Sequence, residues 1–179
     1  MCIRDSVIGF LQSHQGYDFI ESIEALAARA GMEVPYENNS SVSTEKNPIY
    51  EALQIATDIF EKNLANSDSS EHVRNYVLKE RKISSEVCKK FSLGYASKSW
   101  DALSKEMLGK GITEDILIKA GLAKKNKDNK LFDVFRDRLM FPIKDRKGRV
   151  VGFGGRVMNP DDQPKYLNTG ETPVFQKSR

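Results

Sequence analysis

The sequence predicts an α+β protein: a helical N-terminal two-thirds, then a basic segment containing an antiparallel β-hairpin. Three observations carry that expectation. Apolar residues recur at three- and four-residue intervals up to about residue 120. From Lys124 the interval shortens to two. Charge divides along the same line, because residues 1–118 hold 13 Lys+Arg against 18 Asp+Glu and residues 119–179 hold 15 against 7, net −5 followed by net +8. The overall charge of +3 conceals that polarity. A basic segment of this kind suits a polyanionic partner, which releases counterions on binding, or equally a solvated lysine-rich surface.

The elements follow in order. Asp18, with Glu21 three positions on, forms a capping box ahead of Phe19, Ile23, Leu26, Ala27 and Ala30, so residues 7–34 read as helical and Gly31 as the stop. Residues 37–47 are almost wholly polar and read as a linker, dividing the chain into segments 1–36 and 48–179. Pro48 suits a first helical turn, and Leu53, Ala56, Phe60 and Leu64 continue one face. Val73, Tyr76 and Val77 mark the next helix, with aromatics at such spacing read as core. Shorter helices are expected near 85–91, 100–108 and 114–120, capped by Ser84 or Ser85, Ser99 and Thr113, with Gly121 as a stop. Leu139, Phe141 and Ile143 then alternate with Met140, Pro142 and Lys144, Asp145-Arg146-Lys147-Gly148 supplies a turn, and a second alternating run follows.

That second run, Arg149 to Val157, places Val151, Phe153 and Val157 on one side and Val150, Gly152, Gly154 and Arg156 on the other. Two glycines beside an arginine leave room for a phosphate chain or a nucleobase; a β-bulge or barrel corner would use the Gly154-Gly155 pair equally well. The cluster matches neither the dinucleotide nor the P-loop glycine pattern. Pro164-Lys165-Tyr166-Leu167-Asn168 joins a cation, a ring and an amide, the mixture used on single-stranded nucleic acid. Arg81 and Lys82 close a helix, where basic residues ordinarily complement the dipole.

Other chemistries are poorly served. The acids after Leu131 are scattered rather than clustered for Mg²⁺, Cys2 and Cys88 are far apart, and His14 and His72 have no paired zinc spacing. Cys88 reads as a buried, inert helix thiol. The apolar run Val7–Leu11 is too short for a membrane span or secretory core, so a cytoplasmic protein is expected.

Phe135-Arg136-Asp137-Arg138-Leu139-Met140-Phe141-Pro142-Ile143-Lys144-Asp145 running into Gly148-Arg149-Val150-Val151-Gly152-Phe153-Gly154-Gly155-Arg156 resembles bacterial replicative DNA primase of the DnaG type. So do Phe91-Ser92-Leu93-Gly94-Tyr95-Ala96 with Trp100-Asp101, and the Pro164–Asn168 stretch. The resemblance covers about residues 7–179 and implies the N-terminal part of a primase catalytic core. On this comparison residues 1–36 resemble the helical tail of a zinc-binding domain, with 1–6 departing from the family pattern, and 48–179 resemble the N-terminal subdomain of the RNA polymerase domain. The chain is then expected to be a fragment that lacks the zinc ligands and the metal-binding Toprim portion.

The same resemblance implies a groove for template and nucleotides formed by Arg156, Lys165, Tyr166, Asn168 and Lys177, and less securely by Arg81, since Lys82 stands where the family pattern has glycine. It implies Mg²⁺ and Zn²⁺ for the full-length protein but none held by this chain. The implied partners are single-stranded DNA, an RNA primer, nucleoside triphosphates and, through a further domain, the replicative helicase. The expected activity is primer synthesis by nucleotidyl transfer, with the isolated fragment inactive. A non-catalytic single-stranded DNA-binding module is the alternative.

Overall fold

The computed structural model describes residues 7–15, 17, 19–32, 41–66, 68–159 and 162–177. The chain forms two compact units, Met1–Ser41 with Arg179, and Val42–Ser178. In the first, α1 (Val7–Phe10) continues into a π-turn (Leu11–Gln15) and is followed by α2 (Phe19–Ala30). Gly31, at φ +67°, ends α2 as expected: its N–H donates to Ala28 O and that of Met32 to Ala27 O. Asp18, the expected capping residue, lies outside the described residues.

The division between the units falls within the expected 37–47 linker, and α3 (Ser41–Asn66) begins inside that stretch. Residues 37–40 lie outside the described residues, but 41–47 are helical and Pro48 sits inside the helix rather than in its first turn. A polar composition removes anything to bury, not the main-chain bonds that build a helix. Pro48 costs one such bond, to Thr44. From there Ile49, Ala52, Leu53, Ala56, Ile59, Phe60 and Leu64 form a continuous buried stripe.

A 3₁₀ turn (Asp68–Ser70), α4 (Glu71–Asn75), a second π-turn (Tyr76–Glu80) and α5 (Ser85–Lys90) lead to β1 (Gly94–Ala96). Then come α6 (Ala102–Gly109), α7 (Glu114–Lys119), the hairpin β2 (Ala123–Lys125) and β3 (Leu131–Asp133), and β4 (Arg138–Lys144), β5 (Val150–Val157) and β6 (Tyr166–Asn168). The main sheet is antiparallel, in the order β1-β4-β5-β6. Ser84 and Thr113 cap α5 and α7 as expected.

Ser99 does not cap α6. The helix starts after Asp101, and its first free N–H groups are bound from β3: Asp133 Oδ2 accepts from Leu103 N (2.8 Å) and Oδ1 from Ser104 N (3.0 Å) and from Ser104 Oγ. In return Asp133 N donates to Trp100 O (2.9 Å). Arg136 braces the same corner, with its Cζ 4.4 Å from the Trp100 ring centroid. Burial raises the Asp133 carboxyl above its usual 3.8, opposed by these three hydrogen bonds.

Two apolar clusters hold the sheet from opposite faces. Neighbouring residues on a strand alternate in direction, and Leu139 belongs to one cluster with Val73, Val77, Leu93 and Tyr95, whereas Met140 belongs to the other with Phe60, Leu117 and Phe153. On the latter face α3 approaches β1 so closely that a Cβ at Gly94 would stand 2.4 Å from Phe60 Cβ and 2.7 Å from its carbonyl carbon.

Gly94→Ala is expected to destabilise the chain by about 2 kcal/mol or more, because the clash is partly with backbone that cannot rotate away; urea unfolding reads it. Asp133→Ala strands two buried N–H groups and should cost about 2 kcal/mol. Because the folded chain keeps the Asp133 proton to higher pH than the unfolded chain, that residue makes stability fall as pH rises from 3.8 through its raised value. Stability curves of the wild type and Asp133→Asn across that window should differ in slope with that sign.

Candidate nucleic-acid interface

The strand register assembles the candidate site. Arg156 on β5 pairs with Leu139 on β4 and with Tyr166 on β6, and Gly154 pairs with Phe141 and Asn168. Directly paired residues project from one face. Arg156, Gly154, Asn168 and Tyr166 therefore share the face that carries Tyr95 and Leu139. Its β1–β4 half is covered by apolar residues of α4 and the second π-turn. Its β5–β6 half is open: Tyr166 is 61% exposed, and Asn168 and Lys165 are exposed beside it.

Arg156 is half-buried and unevenly satisfied. Its Cζ lies 4.5 Å from the Tyr76 ring centroid, while its Nε is buried and has no hydrogen-bond partner among the described residues. An unpaired buried donor costs about 1–3 kcal/mol, and a ligand oxygen would relieve it. Arg81 reaches the same ring from the π-turn, with Nε donating to Tyr76 Oη at 2.5 Å and Cζ 5.3 Å from the centroid. On the other side Lys165 Nζ lies 6.0 Å from the Tyr166 ring centroid.

The loop that carries Lys165 is tied to the sheet by Arg138. Its Nη1 donates to Pro164 O (2.9 Å), and Lys165 O accepts from Val157 N (3.0 Å). Arg138 is buried, which pulls its guanidinium below the usual value, with the Asp162 charge acting in the opposite direction. Tyr95 donates to Asp137 Oδ1 (2.8 Å), and His72 Nε2 stands 3.5 Å from the same oxygen, so that carboxylate is engaged inside the fold. Burial, and then Asp137, raise the Tyr95 hydroxyl.

Of the six expected site residues, Arg81, Arg156, Lys165, Tyr166 and Asn168 are linked through shared rings and strand register. Lys177 is not joined to them: it stands in a turn after the Thr172–Phe175 bridge, where its main-chain N–H donates to Glu171 Oε1 (3.0 Å). The expected bare strip is also corrected. Thr169 is fully buried, and its Cβ and Oγ1 lie 3.1 Å from where a Cβ on Gly152 would stand; Asn168 Oδ1 occupies the equivalent space at Gly154. Strict alternation ends at an irregularity where Lys144 pairs with Val150 and Ile143 with Gly152, leaving both Val150 and Val151 buried. Both glycine positions are thus covered from β6 and the residue after it, and the strip is formed by the side chains of Arg156, Tyr166 and Asn168.

Tyr76 was read from sequence as a core marker. Nothing in a 3.6-residue period places it beside Arg81, five positions away; the π-turn does so, with Arg81 N donating to Tyr76 O (2.9 Å). Among the described residues no group of three or more His, Cys, Asp or Glu could hold a metal ion, so Mg²⁺ and Zn²⁺ find no fit there. Cys88 is half-buried, and burial pushes its thiol up. Its neighbour Phe91 is 59% exposed rather than core.

Residues 59–179 match the family model described as DNA primase catalytic core, N-terminal domain. The chain belongs to the DnaG-type primase family. It is 40% identical over 179 residues to the DNA primase of Pseudomonas putida, covering 97% of this chain and 27% of that protein. A DnaG primase catalytic domain bound to ssDNA aligns with TM-score 0.70 and 36% identity, over 76% of this chain and 43% of that one. The zinc-binding and RNA polymerase domains of Aquifex aeolicus primase align with TM-score 0.63 and 32% identity, over 97% of this chain and 40% of that one. The chain spans less than a third of the length of the curated relatives it matches.

Lys82, where the family resemblance implies glycine, has φ +54°. A left-handed backbone costs a residue with a side chain roughly 1–2 kcal/mol, which glycine avoids. Lys82→Gly should therefore stabilise the chain by about 1 kcal/mol, whereas Lys82→Ala should not, as chemical denaturation of the pair will show.

Proposed function

We propose that the whole protein is a DNA-dependent RNA polymerase that synthesises short RNA primers on single-stranded DNA, and that this chain supplies the grip on template and nucleotides. One observation carries the reading: Arg156, whose Nε finds no hydrogen-bond partner among the described residues, shares a strip of the sheet with Tyr166 and Asn168, and Arg81 and Lys165 stand beside that strip. Phosphate oxygens are the acceptors such a donor suits, tyrosine offers a stacking face, and the Asn168 amide can bond a base edge or sugar. The solved structure of a DnaG primase catalytic domain bound to ssDNA supports the choice of ligand. The same strip would serve a non-catalytic binder; family membership favours the polymerase.

On this reading residues 1–36 are the tail of a zinc-binding domain and 48–179 the N-terminal subdomain of the polymerase domain. Nucleoside triphosphates, the RNA primer and the replicative helicase are partners of the whole protein, and the cytoplasm is its compartment. Among the described residues no helix is long and apolar enough to cross a membrane. Mg²⁺ would support nucleotidyl transfer and Zn²⁺ the preceding domain, each held by residues other than those described. The isolated chain then binds without extending a primer.

Binding to fluorescent oligothymidylate across a salt series tests this. Log affinity should fall linearly with log salt, and Arg156→Ala should weaken binding about tenfold and flatten the slope by about 0.7, one phosphate contact on a single strand. A salt-independent signal, or an Arg156→Ala chain that binds like wild type, contradicts the reading.

A further inference from the structure

We infer that Tyr76 is a positioning residue, which holds the Arg81 and Arg156 guanidiniums as the two arms of one phosphate-binding unit. The inference rests on the reading of the β5–β6 strip as a nucleic-acid cradle and adds to it a residue that touches no ligand itself.

The two arginines come from unrelated elements, Arg81 from the residue that caps the π-turn and Arg156 from β5, and both reach the Tyr76 ring. Arg81 is held by a hydrogen bond to Tyr76 Oη and by its Cζ at 5.3 Å from the centroid; Arg156 lies at 4.5 Å. The sum of those distances bounds the guanidinium carbons to within about 10 Å of each other, a separation over which two cations repel at ordinary salt. An acidic side chain between them would remove the repulsion by neutralising the charge that a phosphate needs. A phenol ring attracts both cations through its negative face and leaves their charge available.

The backbone is arranged for this contact. Residues five apart on an α-helix point to different sides, whereas the π-turn closes a bond from Arg81 N to Tyr76 O (2.9 Å) and brings both side chains onto one side. Tyr76 also packs against the cluster containing Val77, Tyr95 and Leu139, so the platform is anchored in the fold. One arm is fixed through Oη, and the other is held against the ring although its Nε has no hydrogen bond among the described residues. Side-chain ordering that binding would otherwise demand is already met.

The test is a double-mutant cycle on the 179-residue chain, with oligothymidylate affinity measured by fluorescence anisotropy well below each variant's melting temperature. Tyr76→Leu keeps apolar bulk and should weaken binding about tenfold in the wild-type background, but less than about twofold when Arg81→Ala and Arg156→Ala are already present. Tyr76→Phe preserves packing and the cation–π face, and should lose only about two- to fivefold. Equal losses from Tyr76→Leu in both backgrounds would mark a general structural effect and overturn the inference, as would no loss in the wild-type background. Failure of the underlying reading looks different: the Arg81→Ala, Arg156→Ala chain would then bind as tightly as wild type.

Discussion

The register of β5 against its two neighbours is the constraint on which the site depends. Arg156 stands between Leu139 and Tyr166 because of that pairing, and Gly154 stands opposite Asn168 for the same reason. Strand side chains alternate, so a slip of one residue would carry Arg156 into the face packed by Phe60 and Phe153 and leave Gly155 looking outward. What forbids the slip is apolar. Gly155 admits Phe135, Met140 and the Arg138 stem within 3.0–3.3 Å of a Cβ position, and a larger residue there has no space.

A sheet with both faces covered would have no site, and one with a whole face bare would be unstable. Here α3 covers one face, Gly94 allowing its close approach, while α4 and the π-turn cover only the β1–β4 half of the other. Tyr76 sits at the limit of that cover, packed inward and carrying two arginines outward. Beyond it Asn168 Oδ1 lies over Gly154, so the amide rather than bare backbone forms the floor of the strip. Arg138 ties the loop on the far side to the sheet by bonding Pro164 O, so a buried arginine positions the segment that carries the exposed Lys165.

Much of this was legible in the sequence because it is local. Helical spacing marked α3 from Ile49 onward, Ser84 and Thr113 announced α5 and α7, and period-two runs marked β4 and β5. Ordered motifs brought Arg81, Arg156, Lys165, Tyr166 and Asn168 forward as candidates. What was misread depends on contacts distant in sequence. Asp133 replaces Ser99 as the cap of α6 from thirty residues away, and Thr169 fills the space over Gly152 that alternation had left empty. The role of Tyr76 needed a π-turn, which has no periodic signature, and the helix before Pro48 needed only main-chain bonds that a polar composition does not forbid.

The central claim is that the open half of the sheet face, with Arg156 at its centre, takes a sugar-phosphate chain. Arginine Nε–H resonances report on it atom by atom during titration with a short oligothymidylate in ¹H–¹⁵N spectra. The account predicts that the Arg156 Nε–H moves furthest and becomes the most protected from exchange with water, as its missing acceptor arrives. A titration in which Arg156 stays still while Arg146 and Arg149, at the turn between β4 and β5, carry the shifts would place the nucleic acid elsewhere and contradict it.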